Sequence, residues 1–534
     1  MAFKRQNARL ESFLKRALPL DKYERLRCYE TAVIVSIDEK RALKHIILGH
    51  RTLYSTESPP KLLKTLLDLA EIDDVALVPD YPNFLSGTER ENTHHIRIRY
   101  RRQSSGSSTP KSISSTPRGG STSAPTSPYN RKISLEKAPR SPALQPSTLK
   151  SPSYGDSVFS ASSPAASPAA SPRVGPLIHE GLLSLKGPGE LDIYVLVKQS
   201  PLFMELQTAI LNYQIEATVH FAQGYCTFRS PSKTESDETA LFQQMKQQIF
   251  AAKSLERLYP LIQELKTACE RFLSIRKQFW RTPDLLKFLL EQLEKALKSS
   301  STSHVAYNQE DQLEFSVLVL ETLALTFRET EIAENRAELL ANSRDLLFIY
   351  LTGLLLETDF SLVKQEAATK QSKETLEILD DLTDAATAVL FELSLASHHM
   401  AWQSTSQGSS FINICWLFNQ IDSISQTKNF VKGLMRRVMQ VLATVTRTTL
   451  TPTPSFPATR LILLYQQVYL LKMFLQYSSK TTLHIKETYA EEFRYYFKNP
   501  IISQKLPPEY PLTAPTLRLI DDVVKRISTD SISK

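Results

Sequence analysis

The chain has 534 residues, of which 42% are hydrophobic, and a formal net charge of +8. This length allows about three domains, and four cysteines in such a length exclude a disulfide-stapled framework. The charge is unevenly placed, since residues 101–176 contain ten basic and two acidic residues and the rest of the chain is formally neutral. We therefore expect no nucleic-acid partner for the folded part of the chain.

The N-terminal segment begins with a helical pattern and then changes to the alternation of strands. Apolar residues recur at helical spacing from Leu10 to Leu18, and Pro19 should end this helix. The pattern fits either a membrane-surface helix or a helix that covers its own domain, and we favour the second. Alternation and turn signals predict strands over residues 32–37, 43–48, 52–55, 62–67, 74–78, 95–100 and 191–197. Ser200 and Pro201 then predict the start of another helix.

A basic tract rich in Ser and Pro, residues 101–176, interrupts this pattern between the last two strands. Its composition cannot bury enough apolar surface to fold, so we predict a disordered insertion in a loop of one small β domain. Seven strands followed by an amphipathic helix are typical of a pleckstrin-homology-like (PH-like) barrel. Residues 1–100 and 190–222 are therefore predicted to form a split PH-like domain with an N-terminal helix.

The tract carries eight Ser-Pro or Thr-Pro pairs and one serine that follows two basic residues. These patterns predict phosphorylation at Thr109, Thr116, Ser127, Ser134, Ser141, Ser151, Ser163, Ser167 and Ser171. Each phosphate adds about −1.5 to −2 charges, so roughly four or five would cancel the charge of the tract. The tract is either a regulatory loop of reversible charge or a tolerated linker, and the sequence does not decide between them.

Four basic side chains around the first predicted hairpin are candidates for binding a phosphoinositide. They are Lys40, Arg41, Lys44 and Arg51. Asp38 and Glu39 lie in the same hairpin and would repel an inositol phosphate. A solvated charged turn is the favoured interpretation, with recruitment to a phosphoinositide membrane surface as the alternative.

Beyond a polar break near residues 230–237 the apolar period is helical almost throughout. Helices are predicted over residues 241–252, 255–272, 282–297, 313–327, 333–356, 376–397, 411–421, 430–444, 458–477 and 482–497. Residues 238–530 are thus predicted to form an all-α domain, either an armadillo- or HEAT-like array or an irregular bundle. Aromatic clusters at residues 465–469 and 489–497 fit a peptide groove or a tight core, and we favour the core.

The search for catalytic patterns is largely negative. The chain has no Gly-rich phosphate loop and no C-x-x-C, H-E-x-x-H or G-x-S-x-G motif. The adjacent pairs His94-His95 and His398-His399 point in different directions, so satisfied or surface histidines are favoured over metal ligands. We expect no enzyme activity, no cofactor and no metal site.

Cysteine usage and hydropathy predict a cytosolic or nuclear protein, and we favour the cytoplasm. Cys28, Cys226, Cys269 and Cys415 are widely spaced, and no secretory apolar segment follows the N-terminus. The longest apolar run, residues 346–356, is about half the length needed to span a bilayer, so no transmembrane segment is expected.

Short segments at both ends of the chain resemble a vertebrate protein family. They are NARLESFL (7–14), LYSTESPPK (53–61), DYPNFL (80–85), HIRI (95–98), FRETE (327–331), LYQQ (464–467), EEFRY (491–495) and LPPEYPLTAPT (506–516). The family is known as an open-reading-frame protein of human chromosome twelve, number fifty-six, and is uncharacterised. The resemblance therefore implies no activity or ligand, but it supports one inherited unit made of residues 1–100 and 190–534. Together these patterns favour a non-enzymatic adaptor or scaffold that binds partner proteins.

Overall fold

The computed structural model describes residues 7–35, 41–80, 82–102, 187–197, 200–223, 235–302, 306–328, 353, 373–403, 413–446, 456–497 and 499–528. They form an antiparallel sheet of seven strands followed by a largely helical region. The predicted division into an N-terminal β part and a helical remainder is confirmed at this level. The predicted helix over residues 333–356 lies outside the described residues, apart from Gly353.

The sheet consists of two successive meanders that meet side by side. Its strands are β1 (Cys28–Val35), β2 (Arg41–Leu48), β3 (Thr52–Glu57), β4 (Lys64–Asp68), β5 (Ile72–Val78), β6 (His94–Arg102) and β7 (Gly187–Val195). Their order across the sheet is β4-β3-β2-β1-β7-β6-β5, and the pairs are antiparallel. The last strand of the second meander therefore joins the first strand of the first meander.

The strands on the two sides of the predicted insertion are direct neighbours. Ile98 lies opposite Leu191, and Tyr100 lies opposite Gly189, which confirms the prediction that these segments share one sheet. A Cβ atom on residue 189 would lie 2.5 Å from the Tyr100 hydroxyl, so glycine is needed for the ring to cross this strand. The prediction that the tract begins at Arg101 is wrong by two residues, because β6 continues through Arg102.

The inward face of the sheet forms a closed apolar core with the helix that follows β7. Alternate residues of β6 and β7, such as Ile98 and Ile193, are fully buried there. Helix α4 (Leu202–Gln223) begins after Pro201, as predicted, and the Ser200 hydroxyl accepts a hydrogen bond from the Leu202 N–H. Its first half adds Leu206 and neighbouring apolar residues to this core.

The outward face of β2 and β3 is covered by the N-terminal helices. They are α1 (Ala8–Ala17), which the Asn7 side chain caps, and α2 (Leu20–Glu24). Leu10, Leu14 and Leu18 pack there in one cluster with Ile47 and Tyr54. The apolar stripe of α1 is therefore used inside the fold, which confirms the favoured interpretation and contradicts a membrane-surface helix.

The remaining described residues are mainly helical. After a short α3 (Gly87–Glu91) in the β5–β6 connection, the helices that follow α4 are α5 (Glu235–Ala251), α6 (Leu255–Arg271), α7 (Leu273–Trp280), α8 (Pro283–Thr302), α9 (Ala306–Phe327), α10 (Lys373–Gln403), α11 (Ile414–Ser423), α12 (Thr427–Thr446), α13 (Ala458–Tyr477), α14 (Ser479–Tyr496), α15 (Asn499–Lys505) and α16 (Thr513–Ser528). They share one large apolar core. The short α7 and α15 and the C-terminal α16 were not predicted from the sequence.

Helix α4 belongs to both cores. Leu211 and Ile215, in its second half, pack into the helical core. The Thr218 hydroxyl accepts a hydrogen bond from the Leu512 N–H just before α16, and Arg518 of α16 donates to the Asp73 carbonyl of β5. The sheet and the helices therefore form one compact unit rather than two loosely linked ones.

Candidate functional site

The basic residues predicted to bind a phosphoinositide do not meet at one place. Lys40 lies outside the described residues. Arg41 is exposed at the start of β2, with its guanidinium 4.6 Å from the centre of the Phe84 ring. Arg51 follows the far end of β2, roughly 25 Å away along the strand, and lies 5.8 Å from the ring of Tyr213 on α4.

Lys44 differs from the other predicted cations because it is buried. Only 6% of the residue is exposed, and it lies on the same inward-facing side of β2 as Ile46. Burial lowers the pKa of its amine; Glu57, directly opposite on β3, acts against this shift and Lys64 adds to it. Lys44 is therefore part of the strand packing and is not presented to a ligand at the hairpin.

The outward face of β6 carries a ladder of arginines, each paired with a carboxylate. Arg97 donates from Nε to Asp192 Oδ1 at 2.8 Å, and Arg99 donates from Nε to Glu190 Oε1 at 3.0 Å. Both acidic partners lie directly opposite on β7. Arg101 binds both carboxylate oxygens of Asp73, at 2.7 and 2.8 Å. The pairs join β5, β6 and β7 and neutralise what would otherwise be a basic stripe.

The ladder ends at His95, whose ring nitrogens both face carboxylates. Nδ1 lies 2.8 Å from Asp80 Oδ1, and Nε2 lies 2.9 Å from Asp192 Oδ1. Each ring nitrogen thus lies within hydrogen-bond distance of a carboxylate oxygen. The ring also stacks on Tyr194 at 4.2 Å. His95 is thus a buried, satisfied histidine, as the favoured interpretation of its sequence predicted.

Asp192 is the common partner of His95 and Arg97. Partial burial alone would raise the pKa of its carboxyl, but the hydrogen bonds from Arg97 and His95 outweigh burial and lower the pKa. The hydrogen bond between Arg97 and Asp192 in turn raises the pKa of Arg97. The sequence held a signal for this arrangement: basic residues with period two on one strand and acidic residues with period two on the next predict cross-strand pairs.

An aromatic contact links this ladder to the first hairpin. The Phe84 ring meets the Tyr194 ring edge-on at 5.0 Å. The Arg41 guanidinium lies over the Phe84 ring. Burial and the nearby Asp80 and Asp192 raise the pKa of the Tyr194 phenol. One end of the sheet thus presents aromatic rings and paired charges instead of a concentration of cations.

Two of the three cysteines in the described residues, Cys28 and Cys269, are buried, whereas Cys415 is exposed. Burial raises the pKa of the Cys28 thiol and raises that of Cys269 to about 12, and both are free thiols; the neutral thiol is a poor nucleophile. Within the described ranges no cluster of His, Cys, Asp or Glu is arranged to hold a metal ion. No helix among those residues is long and apolar enough to cross a bilayer.

The aromatic residues of the late helices lie largely in the helical core. Tyr465 and Tyr469 contact the Phe391 ring at 6.0 and 5.0 Å, and burial raises the pKa of both phenols. This confirms the favoured interpretation of that cluster. In the second cluster Phe493 is buried, whereas Tyr495 is 68% exposed.

The predicted phosphorylation sites lie outside the described residues. They are Thr109, Thr116, Ser127, Ser134, Ser141, Ser151, Ser163, Ser167 and Ser171. They remain predictions made from the sequence.

Comparisons with known proteins identify a family without an assigned activity. A family model described as "Protein of unknown function (DUF4551)" matches residues 4–170 and 103–526. Uncharacterized protein C12orf56 homolog of Macaca fascicularis is 29% identical and uncharacterized protein C12orf56 of Homo sapiens is 28% identical, each over 98% of both chains. The Mus musculus homolog is 30% identical over 65% of this chain and 68% of its own. No solved structure matches. The resemblance seen in the sequence is therefore confirmed, and the chain belongs to the DUF4551 family of C12orf56-like proteins.

Proposed function

We propose that this chain is a non-enzymatic adaptor or scaffold of the cytoplasm. In this proposal a split PH-like module and an armadillo- or HEAT-like helical body bind partner proteins, and the Ser/Pro-rich tract is a phosphorylatable loop that regulates one of these surfaces. The single observation that carries the proposal is the strand order β4-β3-β2-β1-β7-β6-β5, with α4 packed against the sheet. Two meanders of four and three strands followed by a helix are what a PH-like module requires.

The charge arrangement favours a protein partner over a phosphoinositide. Phosphate oxygens need several cations that converge, whereas Lys44 is buried and Arg51 lies past the far end of β2. The arginines Arg97, Arg99 and Arg101 of β6 are already paired with carboxylates. Partly exposed rings, paired charges and the exposed Arg41 are typical of a protein contact surface.

Proximity labelling with the full chain in cells tests this proposal. Three versions of the chain are compared: the natural sequence, a variant with Ala at the nine predicted phosphorylation sites, and a control with Ala at nine Ser or Thr of the same tract that no proline follows. We expect a reproducible set of labelled proteins, part of which is lost in the first variant and kept in the control. Labelling no different from that of the labelling enzyme alone would contradict an adaptor role.

The membrane alternative is tested in parallel with vesicles. Flotation with phosphoinositide vesicles is compared with flotation with phosphatidylcholine vesicles, for the natural chain and for Arg41→Glu. The adaptor proposal expects equal, weak flotation in all four cases. Phosphoinositide binding that Arg41→Glu abolishes would instead support membrane recruitment through the hairpin.

A further inference from the structure

Tyr495, in the second aromatic cluster of the late helices, is strongly exposed. Burial in the helical core explains Phe493 and Phe497 of this cluster, but it does not explain Tyr495. Among the tyrosines whose side chains the structure describes, Tyr495 and Tyr259 are exposed, at 68% and 37%, and the others are half-buried or buried. The phenol of Tyr495 is therefore more accessible to a modifying enzyme than that of any other described tyrosine.

The end of α14 that carries this residue is a short separate stretch. Tyr489 has φ −121° and ψ 15°, which interrupts the helical backbone and leaves residues 490–496 as about two turns of helix. A helix of fewer than about 12 residues is only marginally stable by itself. Phe493 and Phe497, each 5% exposed with ring centres 4.5 Å apart, attach the stretch to the helical core. The stretch can therefore open locally while the rest of the fold stays closed.

Two carboxylates precede Tyr495 on the same helix face. Glu491 and Glu492 lie four and three residues before it. Glu491 is 80% exposed and accepts from Arg494 Nη1 at 2.6 Å. An exposed ion pair of this kind contributes little free energy, so it does not withhold the carboxylate from a partner.

This charge pattern fits a kinase that prefers acidic residues before the tyrosine. Charge patterns around the acceptor residue are one means by which kinases discriminate between substrates. Tyr259 provides an internal comparison, because Glu256 is the only acidic residue among the four that precede it and Pro260 follows it. Exposure and charge thus both favour Tyr495 over Tyr259.

A phosphate on Tyr495 would act on the helix that carries it. It adds about −1.5 to −2 charges in the last turn of α14, where the helix dipole already presents its negative end. Glu491 and Glu492 on the same face add like charges. Repulsion at a helix C-terminus beside acidic residues destabilises the terminal turns.

We propose that Tyr495 is phosphorylated by an acid-directed protein tyrosine kinase and that the phosphate loosens the end of α14. In this step the phenol oxygen of Tyr495 forms a bond to the γ-phosphorus of ATP, and the bond from that phosphorus to the β–γ bridging oxygen breaks. ADP leaves, and the phenol proton passes to the catalytic aspartate of the kinase. The proposal depends neither on the adaptor function nor on the Ser/Pro-rich tract.

The first test is phosphorylation of the full chain with ATP, Mg²⁺ and a purified tyrosine kinase of this preference, followed at each tyrosine by mass spectrometry. We expect Tyr495 to react at least about tenfold faster than Tyr259. Replacing both Glu491 and Glu492 by Gln should slow Tyr495 at least about fivefold. The control Glu256→Gln, at an exposed position on α6, should leave the rate at Tyr495 unchanged. No phosphate on Tyr495, equal rates at the two tyrosines, or an unchanged rate in the double variant would overturn the proposal.

Hydrogen exchange of the phosphorylated chain tests the effect on α14. Amide exchange in residues 490–497 should become at least about tenfold faster, while exchange in α1 stays the same. Tyr495→Phe, treated with the same kinase, should show no acceleration in this stretch, and substitution of an exposed residue should leave the fold intact. Unchanged exchange in residues 490–497 after complete phosphorylation of Tyr495 would contradict the proposed loosening.

Discussion

Glu30 is an acidic side chain on the inward-facing side of β1. Burial raises the pKa of its carboxyl to about 7, although a hydrogen bond from Ser200 acts in the opposite direction. Burial, with the nearby Glu205 and Glu30, also raises the pKa of the Cys28 thiol. The folded state thus keeps a proton on Glu30 that the unfolded chain releases at a lower pH, near its ordinary pKa of 4.5.

This shift gives a pH-dependent prediction for Glu30→Gln. Between about pH 4.5 and 7 the folded state binds more protons than the unfolded state, so stability falls as pH rises through this range. The loss amounts to roughly 3 kcal/mol above pH 7. Glutamine stays neutral and can still bond to Ser200, so we expect Glu30→Gln to be more stable than the natural chain at pH 8 and similar at pH 4.5.

Unfolding temperatures of both chains from pH 4.5 to 8 provide the measurement. The control is Glu24→Gln, which removes an exposed carboxylate on α2 and should change stability little at any pH. A difference between Glu30→Gln and the natural chain that stays constant across this range would show that the carboxyl of Glu30 does not titrate abnormally.

At the scale of elements, the sequence predicted the strands well because alternation and turn residues act locally. The helices it missed are short or have a proline in the first turn. In α16, Pro515 lies in the first turn, where a missing N–H costs nothing, and the apolar pattern starts only after it. The contact of α4 with the β2–β3 turn could not be predicted, because Arg51 and Tyr213 are brought together only by the packing of α4 on the sheet. The pairing of Arg97 with Asp192 was in principle predictable, once β6 and β7 were taken as antiparallel neighbours.

Helix α1 gives a prediction at this scale. Leu14 is 1% exposed and packs against the sheet through the same cluster as Ile47. Leu14→Ala should weaken the attachment of α1 by about 2–5 kcal/mol, because it removes buried methyl groups and leaves a cavity. Amide hydrogen exchange in peptides covering residues 7–18 should then become at least tenfold faster.

The matched control for this prediction is Leu20→Ala on α2. This leucine is 72% exposed, so its truncation should change stability by less than about 0.5 kcal/mol. Similar exchange rates in the two variants would mean that α1 is not held by its apolar stripe, and would reopen the interpretation of a membrane-surface helix.

At the scale of the whole molecule, the sheet and the helices share elements. Helix α4 contributes Leu206 to the core of the sheet and Ile215 to the core of the helices. Arg518 links α16 back to β5 through the Asp73 carbonyl. A ligand or partner that changes the position of α4 can therefore affect the sheet and the helical region together. In the proposed adaptor, this would let the two binding parts influence each other.

The insertion offers the sharpest test of the whole architecture. Arg102 lies directly opposite Gly187 at the end of the β6–β7 ladder. A two-residue turn is the commonest connection for such a pair, and Asn-Gly suits it best. We therefore predict that replacing residues 103–186 by Asn-Gly leaves the fold intact. If the tract is the unfolded loop that its composition indicates, stability should rise by roughly 3 kcal/mol, because less entropy is lost on loop closure.

The measurement is thermal unfolding of the shortened chain, followed by circular dichroism and calorimetry. A cooperative transition at or above the temperature of the natural chain is expected. Gly189→Ala in the shortened chain is the matched variant, since its Cβ would collide with Tyr100 and should lower that temperature only if β6 and β7 are paired. A shortened chain that unfolds without cooperativity would mean that the tract takes part in the fold, and the split-module proposal would have to be abandoned.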